Sequence, residues 1–143
     1  MSQGRVEKER ILLLTEGLST PLSAKTATGI LRYALSQVVG LIDSTQIGKT
    51  AGELLGVGGD TPVYSSIDQA PNADVLIIGI APAGGDLPKS LRRAIFRAIE
   101  CGMRVESGMH FILNDDPEFS RLAKNSGSTL VDLRKNNEFE SPA

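Results

Sequence analysis

The stretch that most constrains this chain is Ala73–Gly102, ADVLIIGIAPAGGDLPKSLRRAIFRAIECG. Val75, Leu76, Ile77, Ile78 and Ile80 form an apolar run interrupted only by Gly79. A strand without polar alternation has both faces covered, as central parallel strands do. The run gives way to Ala81–Pro88, a loop with two glycines and two prolines. Beyond it Leu91, Ala94, Ile95, Ala98 and Ile99 follow the i, i+3, i+4, i+7, i+8 spacing of a one-faced amphipathic helix. Pro88 suits the first turn and Gly102 the position past the end. Met103–Val105 then resumes as strand. A strand–loop–helix–strand unit makes a right-handed crossover, and crossovers of this kind build parallel sheets.

The rest of the chain repeats that alternation. Ile11–Leu14 is an all-apolar strand. Ser23 can cap a helix whose buried stripe is Ala27, Ile30, Leu31, Ala34, Leu35 and Val38. Val38–Ile42 is a second strand, and a short helix is expected from about Lys49 to Leu55, ended by the turn Gly56–Asp60. Pro62–Tyr64 is a short strand and Ser66–Ala70 a helical turn. After the central unit come a strand closing at Val105–Ser107, a helix over Pro117–Asn125 and a last strand over Thr129–Leu133. The fold class expected is α/β, a doubly wound and mostly parallel sheet in a Rossmann-like three-layer sandwich. The domain spans 1–134, and 135–143 is polar enough to be a linker or tail toward a second domain. Ligands of such sheets bind outside the carboxyl ends of the strands, where the strand order reverses. With the first and central strands as neighbours there, the loops Thr15–Pro21 and Ala81–Pro88 face each other.

Composition narrows the partners. The chain has 143 residues, 41% hydrophobic and 22% charged, with a net charge of −2, which gives no general attraction to nucleic acid or an anionic membrane. Six aromatics, none of them Trp, argue against a base-stacking platform. No apolar run approaches the roughly 18 residues that span a bilayer. The polar start MSQGRVEKER is not a signal peptide, and the single cysteine fits a reducing cytoplasm. Cys101, beside Gly102, is expected to be a core thiol.

The pattern with most chemistry in it is electrostatic. Lys25, Lys49 and Lys89 are each expected in the first turn of a helix that follows a strand, where the helix dipole makes a lysine unfavourable by ~0.3–1 kcal/mol. A bound anion reverses the sign, because free backbone amides and an ammonium then point at the same charge. Each lysine precedes a hydroxyl residue: Thr26, Thr50 and Ser90. Exposed lysines with stems in water are the plain alternative for any one of them. For at least one of the three, a phosphate-bearing ligand is the better account. Gly48-Lys49-Thr50 has the end of a Walker loop, but Asp43 stands where its first glycine belongs. Asp43 suits either the ribose-holding acid at the end of a second strand or a cap for the turn after it. Gly17 and Ser19 lie in a loop without the G-x-G-x-x-G pattern, so ordinary NAD binding lacks its motif. Gly84 and Gly85 allow close backbone approach to a ligand, or simply a tight turn. His110, the only histidine, lies at the ligand edge and is the candidate for proton transfer. Asp115 or Asp116 caps the helix at Pro117, and Arg92, Arg93 and Arg97 form a solvated or partner-facing side of their helix.

Five segments together carry a family resemblance: AKTATGILRY (24–33), IDSTQIGKTAGELLG (42–56), IGIAPAGGDLP (78–88), SGMHFILNDDPE (107–118) and VDLRK (131–135). They resemble the N-terminal Rossmann-like domain of the D-glutamate N-acetyltransferase-like proteins, long catalogued as a domain of unknown function. The resemblance implies a C-terminal P-loop NTPase-like partner domain in the longer protein and acetyl-CoA-dependent acylation of a D-amino acid by the whole. The function expected for this domain is binding of CoA, ATP or GTP, or of an acidic substrate, at the carboxyl edge. The competing expectation is a non-catalytic scaffold that packs on the P-loop-like domain or forms a homo-oligomer.

Overall fold

The structure, a computed structural model, describes residues 9–82 and 86–134. Six strands form one parallel sheet: β1 (Ile11–Leu14), β2 (Val38–Ile42), β3 (Val63–Tyr64), β4 (Val75–Ile78), β5 (Arg104–Ser107) and β6 (Leu130–Asp132). Their order is β3-β2-β1-β4-β5-β6. The chain starts in the middle, walks outward to β3, returns to β4 and walks outward to β6. Four helices connect them: α1 (Lys25–Tyr33), α2 (Ala51–Leu55), α3 (Lys89–Glu100) and α4 (Pro117–Ser126). Right-handed crossovers put helices of opposite walks on opposite faces, which is the doubly wound sandwich. The order reverses between β1 and β4, which pair in register from Ile11 with Val75 to Leu14 with Ile78. The neighbour relation expected of the first and central strands is therefore present.

The core follows from the apolar runs. Every residue of β1 and β4 is buried. Each Leu or Ile buried this way contributes about 1.5–3 kcal/mol, which only a strand covered on both faces collects. α3 buries Leu91, Ile95, Ala98 and Ile99, the stripe its spacing predicts with Ala94 half-buried beside it. α1 comes unusually close to the sheet. A Cβ on Gly79 would lie 2.7 Å from the Cβ of Ala27, and the Ala27 amide donates to the Gly79 carbonyl at 3.1 Å. Phe119 of α4 is fully buried, with the Arg92 guanidinium 4.4 Å from its ring centroid. Arg92 also binds Asp116 at 2.9 Å and Glu118 at 2.8 Å, joining α3 to the start of α4.

Several local expectations change. α2 begins at Ala51 with Thr50 as its N-cap, so Lys49 precedes the helix instead of lying in its first turn. Thr50 and Glu53 cap each other reciprocally, and that capping box sets the start. α1 has Ala24, not Ser23, at its N-cap and no side-chain cap. The central strand stops at Ile78, two residues before its apolar run does. Asp116 caps α4, with Pro117 in the first turn. Cys101, expected as a core thiol, is instead exposed at the C-cap of α3, past the end of the buried stripe. Residues 135–143, read as a tail, lie outside the described residues, as do Gly84 and Gly85.

Candidate functional site

All the strand-to-helix loops meet at the carboxyl edge, and a buried carboxylate ties two of them together. Asp43 follows β2 and is fully buried. Its Oδ1 accepts from the Gly17 amide at 3.1 Å, the Thr45 amide at 2.9 Å and the Thr45 hydroxyl at 2.7 Å. Its Oδ2 accepts from the Ser19 hydroxyl at 2.5 Å. Ser19 lies against Thr15 as well, at 2.8 Å from its hydroxyl oxygen. Gly17 reaches Asp43 through a left-handed backbone, φ 73°, that glycine adopts without strain. Gly17, Ser19 and Asp43 are thus one unit that shapes the loop after β1. A ribose held by Asp43 has to displace one of these donors.

The three lysines, all exposed, have different surroundings. At α2 every leading amide is taken: Thr50 by Glu53, Ala51 by the Thr61 carbonyl, Gly52 by the Gly59 carbonyl, Glu53 by Thr50 and Leu54 by the Thr50 carbonyl. Gly48 and Lys49 therefore adjoin a closed helix end, and the Thr50 hydroxyl is spent on the cap. At α1 the amides of Lys25 and Thr26 have no partner among the described residues, while Ala27 is used on Gly79. At α3 the amides of Lys89 and Ser90 are unpartnered among the described residues, and the N-cap Pro88 offers no side-chain cap.

Beside α3 the surface opens into a cleft of about 640 Å³. Glu16 after β1, Ile42 and Ser44 at the end of β2, and Ser65 and Ser66 after β3 form one wall. The exposed side of α3 from Lys89 to Glu100 forms the other, with Phe96 contributing apolar surface. The cleft exists because the β3-to-β4 connection carries only the short 3-10 turn Ile67–Gln69 where a longer crossover helix would cover the sheet. Its arginines divide sharply. Arg97 binds Asp68 at 2.9 Å and Glu100 at 3.5 Å, and Arg92 is held by Asp116 and Glu118. Arg93 and Lys89 have no ion pair among the described residues. The Arg92 hydrogen bonds, ahead of burial, hold the Asp116 carboxyl below its ordinary range.

Of the ligand-binding and catalytic candidates expected from the sequence, Lys89 is the one among the described residues that lines this cleft, together with its neighbour Ser90 and with Arg92, Arg93 and Arg97 from the face read as solvated or partner-facing. His110 is exposed beyond β5, is not on the cleft wall and makes no hydrogen bond or ion pair among the described residues. Glu16, Ser65, Ser66 and Arg93 were not visible as site residues. Arg93 shares a helix face with Arg92 and Arg97, and periodicity does not separate paired from unpaired arginines. Among the described residues no three His, Cys, Asp or Glu side chains group as metal ligands. No helix among them is long and apolar enough to cross a membrane.

Comparison with known proteins gives this geometry a family. A curated D-glutamate N-acetyltransferase of Tritonibacter scottomollicae is 31% identical over 113 residues, covering 79% of this chain and 32% of that protein. A protein of the same name from a Pseudoalteromonas species is 36% identical over 62 residues, covering 43% of this chain and 19% of its own length. The chain thus spans a third or less of the curated relatives it matches. The crystal structure of a DUF1611 family protein from Anabaena variabilis superposes with a TM-score of 0.79 at 29% identity, covering 91% of this chain and 38% of that one. The model of the domain of unknown function DUF1611_N, a Rossmann-like domain, matches residues 44–136. With that match across most of its length and the Rossmann-like strand order behind it, the chain belongs to the DUF1611_N family of Rossmann-like domains.

Proposed function

We propose that this domain is the ligand-binding N-terminal part of a D-glutamate N-acetyltransferase-like protein, and that it seats an anionic ligand in the cleft beside α3. The observation that carries this reading is the pair of cations, Lys89 and Arg93, without an ion pair among the described residues in a concave site where Arg92 and Arg97 are paired. Lys89 and Arg93 are exposed and four residues apart on α3, where two like charges are mildly unfavourable until an anion joins them. A charge-assisted hydrogen bond contributes about 1.5–3 kcal/mol, so two of them support a dissociation constant between several millimolar and roughly tens of micromolar. The α3 amides of Lys89 and Ser90 add donors at the positive end of the helix dipole. The names of the relatives favour an acidic amino acid as occupant. CoA, ATP or GTP would use the same cations through phosphate.

A second anion position is supported at α1, where the amides of Lys25 and Thr26 are also unpartnered among the described residues. Acyl transfer itself, and a C-terminal P-loop-like domain to complete the site, are proposals for the longer protein. Calorimetric titration of D-glutamate, acetyl-CoA, ATP and GTP tests the reading. At least one binds the wild-type chain, Lys89→Ala weakens it about tenfold, and Lys25→Ala discriminates the second position. No heat with any of the four overturns the ligand-binding reading and favours a scaffold that packs on a partner domain.

A further inference from the structure

The cleft also holds one carboxylate that is treated differently from its neighbours. Asp68 and Glu100 are both ion-paired with Arg97, and Glu118 shares Arg92 with Asp116. Glu16 has no cation partner among the described residues. It is held instead by neutral donors: the Ser44 amide at 2.8 Å on Oε1 and the Ser44 hydroxyl on Oε2. Both oxygens are thereby fixed in place by a residue that follows directly on the buried Asp43 knot. Hydrogen bonds from neutral donors orient a carboxylate without cancelling its charge. Among the charged side chains that line the cleft, Lys89, Arg93 and Glu16 are the three without an ion pair among the described residues. These three come from α3 and from the loop after β1, and no two of them form an ion pair with each other.

We infer that Glu16 is the ammonium-recognising and specificity-determining residue of this cleft, which makes its ligand class a zwitterion with two anionic groups and one primary ammonium. The inference rests on the anion-binding reading above and sharpens it. Lys89 and Arg93 take the two acidic groups, and Glu16 takes the amino group. Nucleotides and CoA carry phosphates but no ammonium, so the Glu16 carboxylate repels them at close range and selects against them. The acidic amino acids carry the complementary charges. Once its amino group is acylated such a ligand has no ammonium left, and the cleft releases it more readily than it binds the free amine.

The experiment compares D-glutamate with N-acetyl-D-glutamate, which keeps both carboxylates and lacks the ammonium. Affinities are measured by calorimetry on the 143-residue chain, on Glu16→Gln and on Ser44→Ala, with thermal unfolding of each variant recorded. The wild-type chain prefers D-glutamate by about tenfold, the worth of one partly exposed charge pair. Glu16→Gln keeps an oxygen for Ser44, binds N-acetyl-D-glutamate as well as the wild type or better, and brings the ratio close to one. Ser44→Ala removes the hydroxyl bond on Oε2 while the backbone amide still holds Oε1, so it loosens the carboxylate and lowers the ratio without abolishing it, which keeps the test valid should Glu16→Gln unfold. Equal wild-type affinities, or a preference that survives Glu16→Gln, overturn the role of Glu16 while leaving the anion site standing. Failure of both ligands to bind overturns the role of Glu16, and the anion site falls with it when acetyl-CoA, ATP and GTP also give no heat.

Discussion

Replacing Asp43 separates a structural carboxylate from one reserved for a ligand. In Asp43→Ala four hydrogen bonds vanish: those from Gly17, Ser19, the Thr45 amide and the Thr45 hydroxyl. Gly17 and Thr45 are exposed, so their donors turn to water and each loss is near the ordinary net value of about 1 kcal/mol. The Ser19 hydroxyl is buried but keeps Thr15 as a neighbour at 2.8 Å, so it is not orphaned outright. Removing a fully buried charge gives back some desolvation cost. The balance is a loss of about 2–4 kcal/mol. Asp43→Asn keeps the oxygen that serves Gly17 and Thr45 and asks only that the Ser19 hydroxyl accept where it donated. Its cost is about 1 kcal/mol. Urea unfolding followed by circular dichroism measures both. With a slope of about 1–3 kcal/mol/M, the alanine midpoint falls by roughly 1–2 M at unchanged slope. A loss below about 0.5 kcal/mol in Asp43→Ala, far under that hydrogen-bond estimate, refutes the loop-tying role. Equal losses in Ala and Asn refute the claim that hydrogen-bond geometry rather than charge sustains the loop.

Three further outcomes follow from particular contacts. Gly79→Ala brings a methyl to 2.7 Å from the Ala27 methyl, and the overpacking, with strain on the Ala27-to-Gly79 hydrogen bond, lowers stability by about 1–3 kcal/mol in the same unfolding assay. Lys49→Ala leaves the affinity for every anionic ligand unchanged, because the α2 amides are already closed, and calorimetry alongside Lys89→Ala checks it. The carboxyl of Asp116 titrates below its unfolded value of 3.8, so its contribution is fully present above that pH and is lost as pH falls through the depressed folded value. Asp116→Asn still caps α4, and its stability deficit relative to wild type is constant from about pH 6 down to about pH 4 and shrinks only in melts run below 3.8.

The elements were legible because they rest on local spacing. The runs Ile11–Leu14 and Val75–Ile78 are apolar on both faces wherever they sit in a sheet. The stripe Leu91–Ile99 can only be a one-faced helix. Boundaries were harder, and Lys49 shows why. Its apparent place in a helix was decided by a Thr50–Glu53 cap and by carbonyls of Gly59 and Thr61 on the returning turn. Asp43 was narrowed to two roles, but its donors Gly17 and Ser19 lie 26 and 24 residues earlier.

The sequence by itself determined an alternating α/β chain with a sheet buried on both faces, because hydrophobic periodicity acts between near neighbours. Only the tertiary structure decided where the site lies. It brought Glu16, Ser44, Ser66 and Lys89 to one cleft from loops after four different strands or their connections. It also sorted three arginines of one helix into two that are ion-paired and one that, among the described residues, is not, since Asp68, Asp116 and Glu118 reach Arg97 and Arg92 only through the fold. Net charge at a point in space is a sum over residues distant in the chain, and no local pattern contains it.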